Sequence, residues 1–406
     1  MEVYRSNLHL FEKAPVDKAL EKTEWIPFSP VSQMAKNAPL EFDIPGNAAA
    51  YLDLSKTRLR VGVKITKADG KPIAGSDKVC LVNLGLQSLF RQVDVDLNQT
   101  LITASVGSYY AYKAYLDVLL NSSFEDAERE LKTELFYKDT YGDMENDPKS
   151  NIGFDRRWQA TAGDKTAYLE GPIRMRVRIK LYQQEDAFRL MCVGGERYKV
   201  EITDALLRVC QVKLHPEIIL THEKSLTKTP AVYPIWRSDI KTFNIDKGSY
   251  TWSMDDIYHG EVPCEVRLDL VSASAFSGNY NQNPFNLKTY EAGFVEVMVD
   301  GVSVPTQALT PNYKNGDFAE EYYTLIEWHS KGPCIEMKEY PEGYCIYVFK
   351  IRGSSCGEVF PKSSGGHTRV NVRFEKALTE SVTAVLYAIF PGEVCIDNAR
   401  NVFVNL

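Results

Sequence analysis

Residues 293–305 read GFVEVMVDGVSVP, and no other stretch restricts the fold as much. Val295, Val297 and Val299 alternate with Glu296, Met298 and Asp300, a period of two that puts alternate side chains on one face of a strand. Asp300-Gly301 is a dipeptide that accepts positive φ at both positions, so it predicts a two-residue hairpin turn. That register sets Val299 opposite Val302 and Val297 opposite Val304, and gathers Val295, Val297, Val299, Val302 and Val304 on one face. A sheet with such a face must bury it against a second layer.

The same order of features occurs earlier in the chain. FRQVDVDLNQTLI places Val93, Val95 and Leu97 on one face before a turn at Asn98, 202 residues (300 − 98) ahead of the turn at Asp300. Each turn is followed by a Tyr-rich segment of helical spacing, YYAYKAYLDVLLNSSFEDAERELKTELF at 109–136 and GDFAEEYYTLIEW at 316–328. Each half then returns to apolar strands. Residue identity between the halves is low, so what repeats is the order of elements. A length of 406 residues suits two domains, and 44% hydrophobic with 25% charged residues is an ordinary globular balance.

Many short strands, hairpin turns and few helices point to an all-β chain with minor helices, built as two tandem sandwiches or jelly rolls. The expected boundaries are an N-terminal arm at 1–38, a first jelly roll at 39–222, a linker at 223–230, a second jelly roll at 231–395 and a C-terminal tail at 396–406. Strands are expected at TRLRVGVKITK, with Leu59, Val61, Val63 and Ile65 inward, and at PIRMRVRIKLY, YKVEITDALLRVCQVKL, YPIWRSDIKTFNI, CEVRLDLVSAS, GYCIYVFKI, TRVNVRF and SVTAVLYAIF. HPEIILTHEKSLTKTP suits a short helix and linker, and 139–168 reads as a long polar loop.

The net charge of −7 argues against a broad nucleic-acid grip, which would be basic. The eight cysteines are scattered without a C-x-x-C pair, and the first residues lack the apolar core of a signal peptide. Reduced, buried thiols follow, as do unglycosylated Asn98 and Asn121, synthesis in the host cytosol, and assembly there or in the nucleus. The longest apolar run, AVLYAIF, is too short for a membrane span.

The search for chemistry returns little. DVDLN at 94–98 begins like a calcium loop, but Gln99 stands where glycine is required and Ser105 where glutamate is; a solvated strand face fits better. GKPIAGSDK at 70–78 has phosphate-loop glycine spacing but Ser76 in place of the lysine. SSGGHTR at 363–369 brings Ser and His together on a Gly-rich loop that cannot hold a rigid triad. Arg174, Arg176, Arg178 and Lys180 line one strand face, which reads as a solvent face or, failing that, a contact for an acidic partner chain. Carboxylates are many, but nothing singles out a pair. No catalytic, cofactor-binding or metal-ligating residue is assigned, and no enzyme activity or cofactor is expected.

In EKTEWIPFSPVSQM, LEFDIPGNAAAYLDLSKTRLRVGVKITKADG, SLFRQVDVDLNQTLI, YYAYKAYLDVLLN, NPFNLKTYEAGFVEVMVDGVSVP and the closing IDNARNVFVNL, the chain resembles the major capsid proteins of Polinton/Maverick elements and the related adintoviruses. The likeness covers nearly all of residues 20–406. NPFNLKTY with the VDG turn, and the C-terminal ARNVF, are its most specific pieces. The resemblance implies a double jelly roll whose two eight-stranded barrels stand upright on a capsid surface. It implies homotrimers that form pseudo-hexagonal blocks, neighbouring trimers, a single-jelly-roll penton protein at the vertices, and a shell around double-stranded DNA bound without sequence specificity. It carries no catalytic residues. The arm and tail, with Trp25, Phe28 and Phe403 as anchors, either reach beyond their own barrel or cover the base of their own chain. Two other readings stand beside it: a two-sandwich carbohydrate-binding protein or glycosidase, and a host-domesticated capsid gene with a new role.

Overall fold

A computed structural model describes residues 19–32, 34, 38–46, 50–102, 109–145, 149–172, 178–327, 332–352 and 365–405. Apart from two short strand pairs (Val79–Leu81 with Leu190–Cys192, and Leu287–Lys288 with Glu342–Gly343), the described residues build four larger sheets, and the first half contributes eight strands to them: β1 (Leu20–Phe28), β2 (Leu40–Phe42), β3 (Tyr51–Lys67), β4 (Phe90–Leu97), β5 (Thr100–Leu101), β6 (Ala167–Pro172), β7 (Arg178–Gln183) and β8 (Tyr198–Leu214). They form two four-stranded sheets, ordered β1-β8-β3-β6 and β2-β7-β4-β5. The second half contributes β9 (Ala231–Ile245), β10 (Thr251–Met254), β11 (Glu265–Ser272), β12 (Ala292–Val299), β13 (Val302–Leu309), β14 (Ile346–Lys350), β15 (Thr368–Phe374) and β16 (Val382–Ile396). Their sheets run β9-β16-β11-β14 and β10-β15-β12-β13, the first order with every number raised by eight. Each half is a jelly roll, and the chain is a double jelly roll. A last strand, β17 (Val402–Asn405), adds to the end of β16.

The local chemistry that sets these strands is the chemistry of the turns. Asp300 (φ 49°) and Gly301 (φ 83°) both occupy the left-handed region, and Val299 pairs with Val302 and Val297 with Val304. The equivalent turn in the first barrel, Asn98 (φ 49°) and Gln99 (φ 69°), has the same shape with Leu97 opposite Thr100. Both turns have the handedness that matches strand twist. Side chains then alternate. Leu59, Val61, Val63 and Ile65 of β3 are buried, as are Val370, Val372 and Phe374 of β15, whereas Arg369 and Arg373, on the opposite face of β15, are exposed. The buried apolar residues of both barrels form one continuous core.

Among the described residues four helices of nine or more residues have places in this frame. α1 (Tyr110–Asn121) follows the first hairpin and α4 (Ala319–Glu327) the second, both where Tyr-rich helical spacing predicts them. α2 (Ile152–Thr161) occupies the stretch expected to be loop. Its start is capped by the Asn151 side chain, which accepts from the Phe154 N–H, and Gly153 fits because a Cβ there would lie 2.3 Å from the Lys138 carbonyl oxygen. α3 (Pro216–Leu226) links the barrels, with Pro216 in its first turn.

Three further expectations change. Residues 20–28 of the expected arm are strand, paired along β8 from Leu20–Leu214 to Phe28–Leu207. Part of the expected tail is β17, with Phe403 opposite Cys395. The five valines do not share one environment: Val295 and Val297 are buried, but Val302 is 63% exposed, because the hairpin tip projects past the layer that covers its root.

Candidate functional site

An assembly of ionisable groups lies between the barrels. β11 reads EVRLDLVS, so Val266, Leu268 and Leu270 share one face and Glu265, Arg267 and Asp269 the other. All eight residues are buried, the charged face included. α1 of the first barrel supplies the partners. Arg267 Nη1 donates to Asp117 Oδ1 at 3.0 Å and Arg267 Nε to Glu265 Oε1 at 2.7 Å. Lys113 Nζ donates to Asp117 Oδ2 at 3.1 Å, the Tyr387 hydroxyl to Asp117 Oδ1 at 3.1 Å, and Lys350 approaches Glu265 at 4.0 Å. Burial would strip the proton from Lys113 and Arg267, but Asp117 and Glu265 reverse this and hold both above their usual values. Asp269 takes no hydrogen bond on either oxygen among the described residues, and burial pushes its pKa far up against the pull of Arg267.

Neutral bonds brace the rest of the seam. Tyr112 donates to the Pro284 carbonyl at 2.9 Å, Tyr344 to the Asp139 carbonyl at 2.7 Å, and Cys334 N–H to the Leu119 carbonyl at 2.9 Å. Asp139 also accepts from Asn283 and from the wholly buried Arg157. The rings of Tyr115 and Phe285 stack at 4.1 Å. What these groups do together is fix one barrel against the other.

At one end of the β9-β16 pair a third strand joins the sheet. There β9, β16 and β17 run side by side, with Val232 opposite Cys395 opposite Phe403, and Tyr233 opposite Val394 opposite Val404. One face of this ribbon exposes Val232, Trp236 and Phe403, each to just over half. The other face carries Tyr233, Ile235 and Val394 across a cleft of ≈ 810 Å³ from Tyr51, Leu54 and Leu97 of the first barrel. Asn98 closes part of the contact by donating to the Arg400 carbonyl at 2.8 Å.

The sequence-level candidates are dispersed. Trp25 is partly exposed under the Arg58 guanidinium, Phe28 packs on the core, and Phe403 lies on the ribbon. Arg174 and Arg176 fall outside the described residues, as do His9, His329, Ser363, Ser364 and Cys356. Arg178 pairs through its backbone with Asp96, and Lys180 faces Glu41 at 3.8 Å. Asp94 accepts from Gln92 along its own strand. His367 meets Asp256 at 3.0 Å on the surface, which raises its pKa, and its N–H donates to Asp300. His222 bonds the Tyr51 hydroxyl at 2.9 Å. Burial pushes the thiols of Cys192, Cys334 and Cys345 up to about 11 and that of Cys80 to about 12. Among the described residues no group of three His, Cys, Asp or Glu is placed to hold a metal ion, and no helix is long and apolar enough to cross a membrane. Sequence reading missed the seam. Its one signal was the Lys113–Asp117 spacing on a helix otherwise apolar enough to be covered all round.

No family model matches the chain. It is 23% identical over 410 residues to the uncharacterized protein F54H12.2 of Caenorhabditis elegans, covering 95% of this chain and 98% of that protein. Among solved structures it resembles that of the Sputnik virophage (TM-score 0.63, 11% identity, 100% of this chain and 93% of the other). It also resembles the Faustovirus major capsid protein (0.62, 9%, 96% and 92%) and the mavirus major capsid protein (0.55, 12%, 99% and 93%). The double jelly-roll fold is common to all of them.

Proposed function

We propose that the chain is a structural major capsid protein, of the lineage of the Polinton/Maverick elements and adintoviruses, and not an enzyme. The observation that carries this reading is the doubling of one eight-strand order in two barrels locked by a buried seam. Three such chains around one axis present six barrels and tile like a hexagon, with closed symmetry fixing the interfaces. The likeness in fold to capsid proteins of virophages and of Faustovirus supports it.

Within this reading the homotrimer is the tight unit, since obligate interfaces bury roughly 2,000–5,000 Å². Contacts to neighbouring trimers are weak singly and strong in sum, which lets misplaced blocks leave during assembly. A single-jelly-roll penton protein closes the vertices. The double-stranded DNA inside meets a chain of net charge −7 and is held without sequence-specific contacts. The site of action is the virion capsid, reached after synthesis in the host cytosol. Mass measurement in solution is expected to give about 140 kDa, three times the 45.9 kDa chain. A monomer that persists at micromolar concentration overturns the reading. A full-length relative in a nematode favours a second one, a copy kept by a host for its own use. Negative-stain images separate the two: closed shells support the capsid, and trimers that never close support the host copy.

A further inference from the structure

α4 packs on β14, the outer strand of the sheet β9-β16-β11-β14. Phe318 and the helix read FAEEYYTLIE, in which Phe318, Glu321, Tyr322 and Leu325 recur at the spacing of one helix face. That face is turned inward. Leu325 is wholly buried, and the Phe318 ring stacks on those of Tyr313 and Tyr340 at 5.8 and 6.0 Å. The Tyr322 ring meets Tyr340 edge-on at 5.9 Å, and its hydroxyl donates to the Ile335 carbonyl at 2.9 Å. Three of the four inward positions are thus apolar or aromatic, and the fourth is a carboxyl group. Glu321 is 2% exposed. It accepts from its own N–H and from the Thr310 N–H at the end of β13. Asp317 and Glu320 face it from its own side, and the Tyr340 phenol faces it from the segment it packs on. Burial first, and then these two carboxylates, push its pKa up to about 7.

We propose that α4 is a lid on the second barrel, held down while Glu321 carries its proton and released as that proton leaves. The direction follows from where the group sits. In the closed helix the carboxyl keeps its proton to about pH 7, whereas in an open helix, in water, it loses it near the ordinary value of 4.5. Closure is therefore tightest below about pH 4.5, loosens about tenfold per pH unit from there to about pH 7, and changes no further above that. Opening uncovers Leu325, the aromatic layer of Tyr313 and Tyr340, and β14. The inference concerns one chain and does not rest on the capsid reading.

The test is amide hydrogen exchange of the full chain, read by mass spectrometry on peptides that hold α4 and corrected for the intrinsic dependence of exchange on pH. Between pH 5 and pH 8 the protection of α4 in the parent is expected to fall by about fiftyfold. At both pH values α4 is expected to exchange at least about tenfold faster than β16 in the barrel core, because the helix leaves without its barrel. Glu321→Gln has no proton to lose and is expected to show one protection at both pH values. Glu320→Gln, at the exposed neighbouring position, is expected to keep most of the parent's fall. A parent α4 whose protection changes by less than about threefold overturns the proposal, whether or not the variants fold. So does a protection of α4 equal to that of β16 at both pH values, which would mean that the helix leaves only when the barrel unfolds. A Glu321→Gln chain that keeps the parent's pH dependence overturns it as well.

Discussion

Asp269 shares a buried face with Arg267, yet neither of its oxygens has a hydrogen bond among the described residues. A carboxyl group in that position keeps its proton, because desolvation disfavours the charged form more than Arg267 favours it. Its folded pKa stands above the unfolded value of about 3.9. The stability it contributes is therefore complete below about pH 4 and is lost as pH rises toward and through the folded pKa. Asp269→Leu keeps the number and branching of the side-chain heavy atoms and has nothing to desolvate. It is expected to raise stability by about 1–3 kcal/mol at pH 8, with the gain shrinking toward zero near pH 4. Urea unfolding of parent and variant at both pH values checks this, and a variant weaker than the parent at pH 8 refutes it. Nothing in the sequence announces such a residue. EVRLDL alternates as a strand with one solvent face does, and only the helix from the other barrel turns that face inward.

The two hairpin turns differ in one respect that matters. Gly301 meets a φ of 83° without strain, whereas Gln99 adopts 69° with a Cβ to accommodate. Gln99→Gly is expected to stabilise the first barrel by up to about 1 kcal/mol, and Asp300→Val with Gly301→Val to destabilise the second by about 2–5 kcal/mol. Thermal melts of the two variants should move in opposite directions; a fall for Gln99→Gly would show that its side chain holds the turn. The same elements show what the sequence discloses. Alternation and turn chemistry are local, so the hairpins, β8 and β15 are legible at nearly their true ends, whereas β3 begins at Tyr51, six residues before the expected Thr57. α2 is not, because its polar face and Gly153 mimic a loop and its stability comes from an Asn151 cap and from Arg157 reaching Asp139. β1 and β17 are not either. β1 takes its place as an edge strand from a partner far along the chain and β17 from the end of β16 just before it, and edge strands carry charge and exposed apolar residues that resemble a free tail.

A chain built from two barrels can unfold as two domains or as one, and the seam decides which. Loose domain pairs meet across polar, hydrated surfaces and melt separately. Here the core is continuous and the bridging charges are out of water, with Asp117 and Arg267 joined across 150 positions of sequence. Separating the barrels would leave these charges without partners in a surface shaped for burial, so opening the seam and unfolding a barrel become one event. Arg267→Met strands Asp117 and Glu265, and is expected to cost about 3–5 kcal/mol; Asp117→Leu should cost a similar amount. The double variant should cost clearly less than the sum, since each change removes the partner that the other leaves exposed, giving a coupling of about 1–3 kcal/mol. Urea unfolding followed by Trp252 fluorescence in the second barrel and Trp158 fluorescence in the first, with the remaining tryptophans replaced, should give coincident transitions in the parent. Additive costs together with two separated transitions would mean that the seam is a contact between independent domains, and that the fixed angle a six-barrelled trimer needs must come from the assembly instead of from the chain.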